Sequence, residues 1–388
     1  MSVVLRPPLR LALIGIVIAI AIVPGAPARA TEPSELESNL TIAVDGVAKT
    51  LNLKAAMEAL KIPSVSLALI DGDRIAFASA YGASATPETL YQAASLSKFV
   101  AAVGAMRLVD AKRLDLDDDV NTKLISWKVP SNGFDRAHPV TLRGLLSMTA
   151  GIGVPGFLGY EIGVPVPNLT QILSGAPPAN SPPVTVIAEP GSVYRYSGGS
   201  YEVAEALMVD TMQTSFPDLM SEIVLKPAGL ARSTFAQELP ADLDRQAMRG
   251  HLTDGSKLPG GYHLFPEHAA AGLWSTPTDL ANLLILVGRS WRGESQLFLR
   301  PETARQMLTP QNGGPYGLGA AIGEAEGALT VMKRGQNVGY QAYIILLPAE
   351  GKGMVVMTNS DNGAILVEAL IRRAAALFGW PTLGTLAD

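Results

Sequence analysis

Runs of β-favouring apolar residues predict two β-hairpins, one near each end of the chain. Residues 64–70 and 74–80 are two such runs, joined through Asp71-Gly72-Asp73, which is a strong turn signal. Towards the other end, residues 343–347 and 354–358 are β-rich and flank a second turn. Because hairpins supply antiparallel strands, the pattern predicts one antiparallel sheet built from both termini.

Helical spacing of apolar residues predicts the segments that flank this sheet. Residues 51–61 carry apolar side chains at helical spacing and stop before Pro63, and residues 364–378 are amphipathic. Between the hairpins, helical patterns and Pro/Gly loops dominate. We therefore expect an α+β fold with an inserted, mainly helical region. The predicted sheet subdomain spans about residues 45–92 and 312–388, and the helical subdomain about 93–311.

One segment of the helical region, residues 151–190, is rich in proline and glycine. A long loop of this kind inside a compact domain is usually functional, as a lid or as one wall of a binding cleft. An irregular connector fits the composition equally well, and the sequence leaves both interpretations open.

The first thirty residues have the layout of a secretory signal peptide. Two arginines precede the apolar run 11–23, and Pro24-Gly25 and the small-residue pattern Ala28-Arg29-Ala30 follow it. The run is short against the ~20 residues that span a bilayer, so cleavage after Ala30 is favoured over an uncleaved anchor. We expect a secreted or periplasmic hydrolase domain, residues 31–388, without a stable membrane span after cleavage.

Composition narrows the range of functions. Hydrophobic residues make up 48% of the chain and charged residues 17%, which is typical of a well-buried globular protein. The net charge of −5 and the lack of a basic patch disfavour nucleic acid as a partner. Cysteine is absent and the four histidines show no metal-binding spacing. We therefore expect no metal site.

Ser95 and Lys98 are the first candidates for chemistry. They are followed by an apolar run, residues 99–109, which predicts a buried helix. At a spacing of three the two side chains share one helix face, and burial favours the neutral form of an amine. A neutral amine beside a hydroxyl can take its proton and make it a nucleophile. Taken alone, the pair fits equally well a capping serine followed by a solvated lysine.

Two further motifs lie downstream. Tyr196 lies in the glycine-rich turn 190–199, and a tyrosine set between cations can act as a base. Alone, a core aromatic residue is the commoner interpretation. In Lys333-Arg334-Gly335-Gln336 the lysine can bind a substrate carboxylate and the glycine lets the substrate lie against the strand. The backbone N–H of Gln336 can join that of Ser95 in an oxyanion hole, although an exposed basic turn also fits.

The order of these three motifs resembles the class C β-lactamase and penicillin-binding serine hydrolase family. The resemblance runs from about residue 63 to residue 363 and includes the stretches 140–151, 269–280 and 355–363. It implies a β-lactamase/transpeptidase-like fold and catalysis without a cofactor. It also implies a role for each motif residue: Ser95 as nucleophile, Lys98 and Tyr196 as proton carriers, Ser95 and Gln336 as oxyanion donors, and Lys333, Gly335 and Gly198 in substrate binding.

Gly198 and Lys333 favour different kinds of substrate. Gly198 stands where many family members carry an asparagine that contacts the substrate amide, so recognition of an acylamino group should be weaker. Many esterase relatives have histidine at position 333. The lysine found here favours substrates with a carboxylate. We expect an exported serine hydrolase that acts on an ester, amide or β-lactam bond of a small molecule or peptide. The alternatives are a D-alanyl-D-alanine carboxypeptidase and a non-hydrolysing penicillin-binding sensor.

Overall fold

The computed structural model describes residues 33–44, 46–82, 84–135, 137–384 and 386. The predicted signal peptide, residues 1–30, lies outside this part of the chain. Within the described ranges, no helix combines the length and the apolar character that a membrane span requires.

Strands lie at both ends of the chain and helices fill its middle. The strands are β1 (Leu40–Val44), β2 (Val47–Leu51), β3 (Ser64–Ile70), β4 (Ile75–Gly82), β5 (Tyr91–Gln92), β6 (Trp274–Ser275), β7 (Ala321–Ala325), β8 (Ala328–Asn337), β9 (Tyr340–Leu347) and β10 (Lys352–Thr358). The α-helices are α1 (Pro33–Leu36), α2 (Leu53–Leu60), α3 (Leu96–Asp110), α4 (Leu142–Leu146), α5 (Leu169–Ser174), α6 (Gly198–Met212), α7 (Phe216–Met220), α8 (Ala241–Asp244), α9 (His268–Ala271), α10 (Pro277–Arg292), α11 (Pro301–Met307) and α12 (Gly363–Phe378). A 3₁₀ turn at Val120–Thr122 and a π-helical turn at Ser221–Leu225 complete the helical part.

The main sheet confirms the prediction that both termini build one antiparallel sheet. In the part of the chain that the structure describes, its strand order is β4-β3-β10-β9-β8-β7. The N-terminal hairpin β3–β4 joins the C-terminal hairpin β9–β10 through the antiparallel pair β3–β10. Strand β9 begins at Tyr340, three residues before the predicted start, because Tyr340 pairs with Asn337 across the tight turn at Val338-Gly339.

Both faces of the sheet are buried. Successive side chains of β9 point to opposite faces of the sheet and so belong alternately to two hydrophobic cores. Ile344 and Leu346 belong to the core shared with the helical region. Tyr343, Ile345 and Leu347 belong to a second core on the other face. Helix α12 packs on the sheet together with β1, whereas α10 packs against β3, β4 and β10. The strands therefore form a layer between two helical layers.

Helices α2, α3 and α12 confirm the helical patterns read from the sequence. The buried residues of α2 are those predicted from helical spacing: Leu53, Ala56, Met57 and Leu60. Helix α10 packs on the sheet although it lies inside the range predicted for the helical subdomain. The division into a sheet subdomain and a helical subdomain stays a prediction.

A two-stranded ladder fixes the segment that leads into α3. Tyr91 and Gln92 in β5 pair with Ser275 and Trp274 in β6, and the N–H of Ala93 donates to the carbonyl of Leu273 at 2.8 Å. The start of α3 is thereby tied to the segment that follows α9. This connection positions the site described next.

Candidate active site

Ser95 and Lys98 lie together at the N-terminus of α3. Ser95 is the N-cap residue, and Ala94 before it has a φ of +51°, which turns the chain sharply into the helix. The Lys98 amine contacts the Ser95 hydroxyl, with an Nζ–Oγ distance of 2.9 Å, and donates to the carbonyl of Ala270 at 2.7 Å. Lys98 is only 2% exposed, so its amine is held within the protein beside the serine hydroxyl. The arrangement is one in which the amine can accept the serine proton.

Tyr196 lies between two lysine amines. Lys333 Nζ is 3.3 Å from the Tyr196 hydroxyl and 4.9 Å from the centre of its ring. Lys98 Nζ is 5.3 Å from the same ring centre. Positive charge close to a phenol stabilises its anion, so this environment suits a tyrosine that gives up and regains a proton.

The turn that carries Tyr196 is held by the cap of α6. Ser197 is the N-cap residue: its hydroxyl accepts from the N–H of Ser200 at 2.9 Å and donates to the carbonyl of Gly153 at 2.7 Å. The helix therefore begins at Gly198, three residues before the predicted start near Tyr201. The capping serine was the available signal for this earlier start.

Strand β8 brings Lys333, Gly335 and Gln336 to the Ser95 segment. The ladder between β7 and β8 ends at Met332, so the second half of β8 lies beyond it. A Cβ atom on Gly335 would be 2.3 Å from the carbonyl oxygen of Ala93 and 3.2 Å from the backbone nitrogen of Ser95. The strand can approach this closely only because residue 335 is a glycine.

A cleft of about 660 Å³ opens over these residues. Ser95, Lys98, Tyr196 and Gln336 line it, whereas Lys333 is fully buried and contacts Tyr196. Its remaining lining comes from four places in the chain: Pro155, Gly156, Phe157 and Leu158; Thr253, Ala270 and Ala271; Arg334, Asn337 and Val338; and Asp361. The predicted catalytic, oxyanion-hole and carboxylate-binding residues therefore meet in one place, and the start of the proline-rich segment lies there as one wall.

Gly198 lies one layer behind this lining. It is buried, its N–H donates to the carbonyl of Pro155 at 3.0 Å, and the ring of Phe157 lies against it. Phe157 was not singled out from the sequence. No local motif could have indicated that a residue 41 positions upstream covers the glycine.

A group of buried acidic side chains lies on the other side of Lys98. Glu202 accepts from the N–H of Ala270 at 3.1 Å, and Glu205 accepts from the N–H of Ala269 at 2.8 Å and contacts His268 Nδ1 at 2.9 Å. These contacts hold the start of α9, whose Ala270 carbonyl receives the Lys98 amine. Sequence reasoning missed both glutamates and discounted His268. The available signal was a pair of acids three residues apart on an otherwise apolar helix.

Burial shifts the pKa of two buried acids, Glu202 and Glu267. It raises the pKa of Glu202 well above its usual range, and repulsion from Glu205 and Glu267 adds to the shift, while the Ala270 N–H and Lys98 oppose it. Burial likewise raises the pKa of Glu267 to about 7. We refer to Glu202, Glu205 and Glu267 as the buried carboxylate cluster. Among the described residues, no group of acidic or histidine side chains is placed to hold a metal ion.

The fold agrees with comparison to known families. The family model for β-lactamase matches residues 51–377, and the chain belongs to this family. The match confirms the resemblance noted in the sequence and the fold class expected from it.

Individual relatives are distant. Protein flp of Staphylococcus aureus (strain MRSA252) is 24% identical over 337 residues, which cover 80% of this chain and 62% of that protein. The chain therefore spans less than two thirds of the length of such curated relatives. An octameric penicillin-binding protein homologue from Pyrococcus abyssi has a TM-score of 0.69 and 25% identity, over 84% of this chain and 76% of that one. A β-lactamase/D-alanine carboxypeptidase from Yersinia pestis shares the fold with a TM-score of 0.64 and 18% identity, over 84% of this chain and 96% of that one.

Proposed function

We propose that the protein is an exported serine hydrolase that cleaves an ester, amide or β-lactam bond through an acyl-enzyme at Ser95. The observation that carries the proposal is the contact between the buried Lys98 amine and the Ser95 hydroxyl, 2.9 Å apart at the floor of a cleft. Tyr196 and Lys333 at the same cleft supply a second proton carrier and a nearby cation.

Acylation begins with attack of Ser95 Oγ on the acyl carbon. The hydroxyl proton passes to the neutral Lys98 amine, and the backbone N–H groups of Ser95 and Gln336 stabilise the oxyanion. When the bond to the leaving group breaks, the proton moves from Lys98 through the Tyr196 hydroxyl to the departing oxygen or nitrogen. The amine is then neutral again and the acyl group remains on Ser95.

Deacylation repeats these steps with water as the nucleophile. The Tyr196 hydroxyl passes its own proton to the neutral Lys98 amine as it accepts the proton of the attacking water. Lys333 Nζ, 3.3 Å from this hydroxyl, stabilises the negative charge that the Tyr196 oxygen carries during the relay, and Lys98 then holds the proton. Collapse of the second tetrahedral intermediate releases the acid and returns the proton to Ser95 Oγ.

The test is covalent labelling followed by turnover. Purified protein is treated with a fluorescent fluorophosphonate or β-lactam, and hydrolysis of nitrocefin, p-nitrophenyl esters and D-alanyl-D-alanine peptides is measured. We expect Ser95→Ala to abolish labelling and to lower kcat/KM about 10³-fold or more. Ser192→Ala, a change at an exposed serine, should match the wild type. Equal labelling of Ser95→Ala and wild type would disprove the proposal.

A D-alanyl-D-alanine carboxypeptidase is the second candidate. The half-buried Arg334 brings a cation to the cleft lining that β8 supplies, and the fully buried Lys333 lies next to it in the strand. A cation in the lining suits a substrate that ends in a carboxylate. Release of D-alanine faster than hydrolysis of esters would favour this activity. Stable labelling of Ser95 without release over minutes would instead indicate a non-hydrolysing penicillin-binding sensor.

Export is the part of the proposal that rests on residues 1–30. The mature protein recovered outside the cytoplasm should begin at Thr31, as determined by N-terminal sequencing. Full-length protein found only in the cytoplasm would contradict export without affecting the proposed chemistry.

A further inference from the structure

Residues 155–158 form an apolar wall of the cleft. Pro155, Gly156, Phe157 and Leu158 all line it, and among them Phe157 is half-buried while Leu158 is 75% exposed. We call these four residues the apolar wall. A leucine exposed to this degree inside a substrate cleft is apolar surface that a ligand can cover.

The apolar wall is fixed to the helix that follows Tyr196. The N–H of Gly198 donates to the carbonyl of Pro155, and the N–H of Gly199 donates to that of Val154, each at 3.0 Å. Beyond the wall, Tyr160 and Leu264 exchange two backbone hydrogen bonds of 2.8 and 2.7 Å. Because both ends are tied to the body of the protein, Phe157 and Leu158 present a preformed surface to the substrate.

Phe157 fills the space next to Gly198. A Cβ atom on residue 198 would lie 2.9 Å from Phe157 Cε2 and 3.3 Å from the Pro155 carbonyl oxygen. A polar side chain at this position would require the ring to move. The cleft therefore presents an aromatic surface here in place of an amide, and a substrate amide would find no side-chain partner at residue 198.

Most of the remaining lining is polar. Arg334, Gln336 and Asn337 come from β8, and Thr253 and Asp361 also line the cleft. The cleft thus combines polar residues with the apolar wall, and Ser95 and Tyr196 line the same cleft. Further along the proline-rich segment, Ile162, Val164 and Val166 are 48%, 43% and 40% exposed, so the apolar character continues past the wall.

We propose that the substrate carries an uncharged hydrocarbon chain, on the acyl side or on the leaving-group side of the scissile bond, and that this chain packs on Phe157 and Leu158. The substrate class is then an ester or amide with a medium-length alkyl or aryl chain. This inference deepens the proposed function and rests on it.

Two substrate series test it. The first varies the acyl chain of p-nitrophenyl esters from two to eight carbons. The second varies the alcohol of acetate esters over the same range, and all are used below the concentration at which they aggregate. Each methylene that reaches the apolar wall should raise kcat/KM by about two- to fourfold, until the wall is covered. The series that shows the rise identifies the side of the bond that carries the chain.

Variants of the apolar wall should weaken this dependence on chain length. Phe157→Ala and Leu158→Ser should each lower the ratio of kcat/KM for the eight-carbon ester to kcat/KM for p-nitrophenyl acetate at least threefold, with both constants measured in the same variant. Phe134→Ala and Leu297→Ser alter residues of the same types that are 50% and 95% exposed outside the cleft, and they should behave as wild type. Leu158→Ser guards against a folding defect, because Leu158 is largely exposed.

The outcomes separate this inference from the proposed function. Fluorophosphonate labelling of Ser95 and p-nitrophenyl acetate hydrolysis report on the proposed function alone. If both occur but kcat/KM is flat or falls with chain length in both series, the apolar-chain inference is wrong and the hydrolase proposal stands. A rise that persists unchanged in both wall variants also overturns the inference. Absence of labelling and of all hydrolysis overturns both.

Discussion

Ionisable groups lie on both sides of Lys98, but the groups differ in chemical type and in exposure to water. On the cleft side lie two hydroxyls, Ser95 and Tyr196, with the Lys333 amine 3.3 Å from the tyrosine oxygen. On the other side lies the buried carboxylate cluster, whose members are at most 2% exposed. Lys98 joins the two sides, because its amine contacts Ser95 Oγ and the Ala270 carbonyl.

The difference separates two tasks. On the cleft side, the Lys333 amine next to the Tyr196 hydroxyl stabilises negative charge on that oxygen, so the hydroxyl can exchange a proton during a reaction. On the buried side, the raised pKa values of Glu202 and Glu267 favour protonated acids, which limits the negative charge close to Lys98. Within the cluster, Glu202 and Glu205 accept from backbone N–H groups of α9 and thereby position the Ala270 carbonyl that accepts from the Lys98 amine. We infer that the cleft side carries the chemistry and the buried side the geometry.

Lys98→Ala removes contacts on both sides and should have the largest effect on kcat/KM. Lys98→Ala takes away the proposed proton acceptor for Ser95, and general-base groups contribute about 10²- to 10⁴-fold. We expect a loss of that size in kcat/KM for any substrate that labels Ser95, measured by steady-state kinetics. Lys54→Ala, at an exposed helical lysine, is the matched control. A melting curve should show that the variant is folded; wild-type rates in folded Lys98→Ala would mean that its role is misassigned.

Gly335→Ala perturbs only the cleft side. The added methyl group would be 2.3 Å from the Ala93 carbonyl oxygen, so β8 or the Ser95 segment must shift. Misplacement of reacting groups by about 1 Å can cost ~10²-fold in rate, and we expect kcat/KM to fall about 10- to 100-fold. Gly156→Ala is the matched control, because a Cβ atom there meets no atom within 4 Å although the residue also lines the cleft. Equal activity of the two variants would argue against a role for the close approach.

The residues on the cleft side of Lys98 could be predicted from the sequence. Ser95, Lys98, Tyr196 and the strand with Lys333 were singled out because each belongs to a short pattern whose spacing has a chemical reason. The hairpins and the helices α2 and α12 followed from apolar periodicity in the same way. Such patterns can be read from the sequence because they depend on residues three or four positions apart in a helix, or on alternate residues of a strand.

The other features depend on contacts that no local pattern encodes. Glu202 meets Ala270, 68 residues along the chain, and Phe157 covers Gly198 across a proline-rich loop. An acid inside an apolar helix is a visible anomaly, but its partner is set by how α6 packs against α9. Likewise, the sequence left residues 151–190 open between a cleft wall and a connector, since loop conformation depends on what the loop packs against.

Glu267→Gln changes only the buried side and should have the smallest effect on activity, less than about threefold in kcat/KM. Its signature is the pH dependence of stability. Because burial raises the pKa of Glu267 from 4.5 to about 7, the folded state binds more protons than the unfolded state between these values. The stabilisation is present below about pH 4.5 and is lost as pH rises through about 7, with a slope of up to ~1.4 kcal/mol per pH unit. Glutamine mimics the protonated acid, so the variant should lose this part of the slope and be more stable than wild type at pH 8.

Urea unfolding from pH 4.5 to 8 measures the free energy of unfolding of wild type and Glu267→Gln, with Glu222→Gln at an exposed site as control. Parallel pH profiles for wild type and Glu267→Gln would show that Glu267 ionises normally, and the distinction drawn between the two sides of Lys98 would then fail.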